Sequence, residues 1–214
     1  MRLMRGQKIG LLGGSFNPAH EGHRRISVAA LRLLDLDEIW WLVSPQNPLK
    51  PAEGMAGFRE RFEYARGFAR HPCIKVSDFE ARIGERRTVY TLKALKAAYP
   101  RHKFVWLMGA DNLVQLPKWQ KWEQIMSLVP VAVFNRPGFT YKALNGKAAT
   151  KFRRARVFNN SFGDDRRHLA DMKPPAWVFL PETTIDLSST QIRNSRDTTG
   201  NACSCDKDFP NYEE

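Results

Sequence analysis

Short, almost unbroken runs of apolar residues alternate along the chain with longer stretches whose apolar residues recur at helical spacing. Lys8–Leu12 predicts a first strand, and His20–Leu34 a helix with Ile26, Ala29, Ala30, Leu33 and Leu34 on one side. A second strand is predicted over Glu38–Ser44, ended by Pro45 and Pro48. A helix follows over Phe58–Ala69, then a short strand over Ile74–Ser77. Val89–Ala98 predicts a helix that stops at Pro100. Lys103–Met108 is a strongly apolar strand, and Asn112–Ser127 is helix-rich with a break near Pro117. Val129–Phe134 and Trp177–Leu180 complete the predicted strands, with a short helix after Ser188.

Strands alternating with helices of this length predict βαβ units, and strands apolar throughout predict a sheet covered on both faces. The expected fold class is therefore α/β, a Rossmann-like doubly wound parallel sheet in a single domain over 1–193. Ligands of such sheets bind beyond the carboxyl ends of the strands, so chemistry is expected just after Leu12, Ser44, Met108 and Phe134. The stretch 140–175 is less regular and basic (Lys151, Arg153, Arg154, Arg156, Arg166, Arg167) and reads as an irregular insertion or a loop-rich flap. Residues 194–214 form a polar tail expected to be poorly ordered.

Composition narrows the function class. A chain of 214 residues suits one domain or at most two small ones, and 43% hydrophobic residues exclude a disordered charged tail protein. No apolar run approaches the ~20 residues of a membrane helix. The basic opening Met-Arg-Leu-Met-Arg imitates a signal-peptide head, but the apolar stretch behind it is short and runs into Gly13-Gly14. Cysteine is sparse: Cys73 stands alone and Cys203 and Cys205 lie in the polar tail, which suits a reducing, cytoplasmic location. Lys and Arg number 34 against 22 Asp and Glu, a formal charge of +12, and this surplus points to nucleic acid or to a small polyphosphate.

The most informative segment follows the first strand: Gly13-Gly-Ser-Phe-Asn-Pro-Ala-His-Glu-Gly-His23. Paired glycines permit a tight turn and close backbone approach to a bulky anion, and a helix starting near His20 would aim its free N–H groups at the same place. His20 and His23 share one face of that first turn, where two imidazoles can donate to phosphate oxygens and stabilise growing charge. A plain strand-to-helix turn with surface histidines is the alternative. The segment is neither a Walker loop nor a Gly-x-Gly-x-x-Gly fingerprint. No Glu or third His joins the pair at metal-site spacing, so no protein-held metal is expected.

Gly-Gly-Ser-Phe-Asn-Pro-x-His-x-Gly-His resembles the signature of the nucleotidyltransferase superfamily, and its second element is matched by Ser188-Ser-Thr-Gln-Ile-Arg193. Three further stretches resemble nicotinate-nucleotide adenylyltransferases: Ser44-Pro-Gln-Asn-Pro-Leu-Lys50, Thr88-Val-Tyr-Thr91 and Met108-Gly-Ala-Asp-Asn-Leu-Val-Gln-Leu-Pro-Lys-Trp-Gln-Lys-Trp122. The resemblance runs in order from about residue 8 to 193. It implies an ATP-dependent enzyme that joins nicotinate mononucleotide to AMP, with Mg²⁺ carried by the ATP phosphates rather than by a protein ligand cluster. Gly14, Ser15, Phe16, His20 and His23 would hold ATP, the histidines being catalytic and cationic if protonated. Lys50, Asp111, Ser189, Thr190 and Arg193 would complete the ATP site. Tyr90, Thr91 and Trp119 would contact the mononucleotide, Trp119 by stacking on its ring.

Each assignment has a plainer rival. Trp119 and Trp122 also fit helix core contacts, Asp111 an N-cap of a helix starting at Asn112, and Thr88 an N-cap. Tyr90 also fits a buried helix residue, Lys50 a solvated lysine, and Arg136 either an ATP contact or a surface residue. After Arg193 the chain departs from the family pattern and continues as a polar segment with almost no apolar periodicity. Cys203-x-Cys205 fits a metal or redox pair, or nothing. Sister transferases acting on nicotinamide mononucleotide or phosphopantetheine, and a basic nucleic-acid-binding module, are the rival functions. The expected partners are ATP and nicotinate mononucleotide, with no nucleic acid and no membrane, and a homo-oligomer is left open.

Overall fold

A computed structural model describes residues 6–45, 55–158 and 165–181. The first half runs β1 (Lys8–Gly14), α1 (Glu21–Leu33), β2 (Glu38–Val43), α2 (Phe58–Phe68), β3 (Ile74–Ser77), α3 (Phe79–Arg82) and α4 (Thr88–Ala98). The second half runs β4 (Lys103–Gly109), α5 (Ala110–Gln115), α6 (Trp122–Leu128), β5 (Val131–Phe134), α7 (Thr140–Leu144), α8 (Lys147–Lys151), β6 (Arg156–Val157) and β7 (Trp177–Leu180). The seven described strands form one sheet in the order β3-β2-β1-β4-β5-β7-β6, and every pairing is parallel. The chain moves outward from β1 through β2 to β3, then returns to place β4 on the other side of β1. That reversal is the switch point at which sheets of this kind bind ligands.

Period-two alternation divides the strands between two cores. Ile9, Leu11, Leu42, Phe104, Trp106, Met108, Val131 and Val133 face the layer containing α4, α5, α6, α7 and α8. Leu12, Ile39, Trp41, Val43, Val105, Leu107, Ala132 and Phe134 face the layer containing α1 and α2. Both faces are covered, so the strands are apolar at consecutive positions rather than at every second one. Two glycines of β1 exist for packing. A Cβ on Gly10 would lie 2.6 Å from Ile39 and 2.9 Å from Leu107, and one on Gly13 would lie 2.5 Å from the Trp106 ring.

The predicted elements are present, with instructive differences. The helix expected over Asn112–Ser127 is three pieces: α5, a 3₁₀ turn over Leu116–Lys118 containing Pro117, and α6 after a left-handed Lys121 (φ 53°). A proline lacks the N–H that a continuous helix requires, and here it marks a sharp bend. The stretch 140–175, expected to be irregular, supplies α7, α8 and the edge strand β6, each too short to show a period in the sequence. The residues before β6 sit at the amino end of the sheet, where Lys151–Ala155 and Pro175 line a cleft of about 340 Å³. The short helix expected after Ser188 and the tail 194–214 lie outside the described residues.

Gly13→Ala is expected to cost about 1–3 kcal/mol by overpacking against the Trp106 ring. Urea unfolding of the variant beside the parent protein measures it, and an unchanged midpoint would show that the indole has room to move.

Candidate active site

The turn between β1 and α1 carries the central chemistry. After Gly14 the chain passes through Ser15, a left-handed Phe16 (φ 46°) and a cis Asn17–Pro18 peptide to His20, the N-cap of α1 in extended backbone. The Nδ1 atom of His20 accepts the Gly22 N–H at 3.1 Å, and Nδ1 of His23 accepts the His20 N–H at 3.2 Å. Histidine here replaces the usual serine–glutamate capping box. An imidazole that accepts at Nδ1 carries its proton, when neutral, on Nε2. In each ring Nε2 is thus the donor nitrogen of the neutral form. Burial, reinforced by the nearby Arg136 charge, pushes the His20 pKa down from 6.5 to about 4. At neutral pH His20 is thus an uncharged donor, and the condition under which it would be a cation is not met.

The histidines rest on a buried aromatic stack. Phe16, 1% exposed, stacks on Trp41 at 5.1 Å between centroids and meets His23 at 4.7 Å, while the two imidazoles lie 3.9 Å apart. Trp41 Nε1 donates to Ser27 Oγ, and that hydroxyl donates to the His23 carbonyl oxygen at 2.8 Å. The Phe16 side chain therefore supports the histidine rather than facing a ligand.

Two strands contribute the opposite wall. Asp111 lies within the first turn of α5, whose N-cap is Gly109, so it is not the N-cap expected from the sequence. A Cβ on Gly109 would lie 2.5 Å from Asp111 Oδ1, and glycine leaves the carboxylate that space. Arg136, just beyond β5, donates from Nη1 to Asp111 Oδ2 at 2.6 Å. The other oxygen, Oδ1, is buried without a hydrogen-bond partner among the described residues. A buried carboxylate oxygen of this kind has room for a donor from water or a ligand, or for a cation. His20, Asp111 and Arg136 thus gather beyond the ends of β1, β4 and β5, at the switch point.

The other side of the sheet supplies aromatic and cationic groups. Tyr90 is half-buried in α4, its ring centroid 4.6 Å from the Arg87 guanidinium and 5.2 Å from Lys121 Nζ. A hydrogen bond with Lys121 holds its phenol below the usual range, aided by the charges of Lys121, Arg87 and Lys93. Trp119 is half-buried at the bend before α6 and packs against the same core, whereas Trp122, at 8% exposure, belongs to that core. Thr91 is fully buried and its hydroxyl donates to Glu80 at 3.0 Å, so its side chain serves the interior. The N-cap of α4 is Arg87, and Thr88 is its first helical residue rather than its cap.

Gly14, Ser15, Phe16, His20, His23, Asp111, Tyr90, Thr91 and Trp119 all fall at the carboxyl end of the sheet or on the helices beside it. Lys50, Ser189, Thr190 and Arg193 lie outside the described residues. Sequence reasoning missed Arg61 and Glu80. Both are buried charged residues within short amphipathic segments, where nothing in the local pattern separates them from solvated neighbours.

A parallel sheet that opens at its switch point onto a histidine-capped helix defines an α/β protein built to receive nucleotide phosphates. The cytidylyltransferase-like family model matches residues 11–195. A probable nicotinate-nucleotide adenylyltransferase of Parvibaculum lavamentivorans is 52% identical over 88% of this chain and 92% of its own length. One from Cereibacter sphaeroides is 50% identical over 86% and 96%. The fold matches that of Plasmodium falciparum nicotinic acid mononucleotide adenylyltransferase complexed with NaAD, with a TM-score of 0.64 at 18% identity over 88% of this chain and 83% of that one. The chain belongs to the nicotinate-nucleotide adenylyltransferases, within the cytidylyltransferase-like family.

Glu80 yields a test of the wall between β2 and α4. Burial pushes its pKa up from 4.5 to about 7, opposed by hydrogen bonds from Thr91 and Ser44. The folded state therefore holds this proton at pH values where the unfolded chain releases it, and the contribution to stability falls as pH rises from about 4.5 to about 7. The stability of Glu80→Gln relative to the parent is expected to increase between pH 5 and pH 8 in denaturant titrations. A difference independent of pH would refute the buried titration.

Proposed function

We propose that the chain transfers the AMP part of ATP to nicotinate mononucleotide, giving nicotinate adenine dinucleotide and pyrophosphate in NAD biosynthesis. The observation that carries this reading is the histidine capping box, in which both rings accept backbone N–H groups at Nδ1 and so keep Nε2 as the donor nitrogen at the amino end of α1. The homology to named adenylyltransferases supports the choice of substrates.

An oxygen of the mononucleotide phosphate attacks the α-phosphorus in line. The bond from that phosphorus to the pyrophosphate oxygen breaks, and the pair leaves with the pyrophosphate. The attacking phosphate is already ionised, so no protein nucleophile or base is required, and catalysis comes from alignment and charge stabilisation. His20 and His23 donate from Nε2 to the α-phosphate oxygens, while Ser15 and the positive dipole end of α1 hold the chain of phosphates. Lys50, Ser189, Thr190 and Arg193 are assigned to the same phosphates on the family resemblance. Trp119 stacks on the pyridine ring, with Tyr90 and the first turn of α4 beside it.

Mg²⁺ accompanying ATP would supply charge neutralisation for the leaving pyrophosphate. No group of three or more His, Cys, Asp or Glu gathers among the described residues, and the unpartnered Asp111 Oδ1 is the carboxylate atom suited to that ion or to its waters.

Pyrophosphate release from ATP, assayed with nicotinate mononucleotide, nicotinamide mononucleotide and phosphopantetheine in parallel, tests the reading. Preference for either of the last two would replace it. His20→Ala is expected to lower kcat by about 10²-fold in a folded protein, as loss of a charge-stabilising donor does. Near-normal turnover would remove His20 from the chemistry. Trp119→Ala is expected to raise the KM for the mononucleotide with little change in the KM for ATP, and a shift confined to ATP would displace the stacking role.

A further inference from the structure

Arg61, near the start of α2, is only 2% exposed, and burial pulls its pKa below the usual arginine range. Among the described residues its hydrogen bonds go to carbonyl oxygens alone. Nε donates to Ala56 at 2.9 Å, Nη1 to Ser15 at 2.5 Å and to Ser44 at 2.9 Å, and Nη2 to Pro45 at 2.7 Å. No carboxylate pairs with it among the described residues. An arginine stays protonated in such a cage, so a full positive charge sits under the turn after β1.

A buried ion is costly to desolvate, and fold stability alone would favour an apolar side chain here. The four carbonyls belong to three segments: the β1–α1 turn, the exit of β2 and the approach to α2. The planar fork fixes their relative positions at the place where phosphates are expected. Ser44 is held from a second direction, since its side chain hydrogen-bonds Glu80. Asn17 Oδ1 accepts the Ala56 N–H at 3.3 Å and ties the β1–α1 turn to the approach to α2 once more.

We propose that Arg61 is a positioning residue for adenylyl transfer: acting through the Ser15 carbonyl, it fixes the phosphate-binding turn against the end of β2 and adds a buried positive charge beneath it, without touching either substrate. The proposal rests on the nucleotide reading above, and pyrophosphate release by the parent enzyme checks that reading independently of Arg61.

The test compares Arg61→Lys and Arg61→Met with the parent, each checked for cooperative unfolding. Lysine keeps the charge and loses the fork, whereas methionine loses both. The expected result is a fall in kcat/KM for ATP of about 10²-fold for Arg61→Met, the scale of a misplaced catalytic turn, and about tenfold for Arg61→Lys, with the KM for the mononucleotide within about twofold of the parent. A folded Arg61→Lys enzyme with parental kcat and KM values, however lowered its Tm, would overturn the proposal. So would a rise in the KM for the mononucleotide as large as that in the KM for ATP, which marks a general disturbance. If Arg61→Met does not fold, Arg61→Lys decides by the same criteria.

Discussion

An α-helix begins with N–H groups that have no partners in the helix, and the functional end of this protein is organised by how α1 satisfies them. Serine or aspartate would cap the helix equally well but would leave nothing to offer on the far side. Histidine has two nitrogens, and occupying Nδ1 with the backbone directs the proton of the neutral ring to Nε2. The same hydrogen bond that starts the helix therefore orients the donor. It also disfavours protonation at His20, because a charged imidazole cannot accept the Gly22 N–H.

Around that turn, the sheet acts as a partition. The layer with α1 and α2 carries the aromatic stack beneath the histidines, and the layer with α4 and α6 carries Tyr90 and Trp119. β1, at the switch point, is the strand from which both can be reached. Positive charge near this edge is handled in two ways. Arg136 is matched by Asp111, while Arg61 is enclosed by carbonyl dipoles alone among the described residues. Much of the chain's net charge of +12 belongs elsewhere: Lys151, Arg153 and Arg154 border the cleft at the amino end of the sheet.

What the sequence revealed follows from how long a pattern persists. Strands of four or more apolar residues and helices of eleven or more residues show their period, so the α/β layout and the position of the His20 turn could be read directly. The four- and five-residue helices α3, α7 and α8 complete little more than one turn and show none. Gly13 and Gly14 look alike in sequence, yet only Gly13 makes room for a packed indole. Phe16 and Thr91 lie within recognisable motifs but point inward, because a motif marks a segment and not the direction of each side chain. Arg61 and Glu80 could not be found from spacing at all, since their roles depend on partners brought together only by the fold.

Phe16 has the wider consequence. It holds a left-handed backbone conformation that non-glycine residues seldom adopt, and its ring is fixed between Trp41 and His23. The aromatic core of the α1–α2 layer and one of the two histidines are therefore a single packed body. That core is not passive packing: a change at Trp41 or Ser27, both fully buried, reaches His23 directly. A substitution in this small region therefore changes the seating of His23 together with the packing of the core.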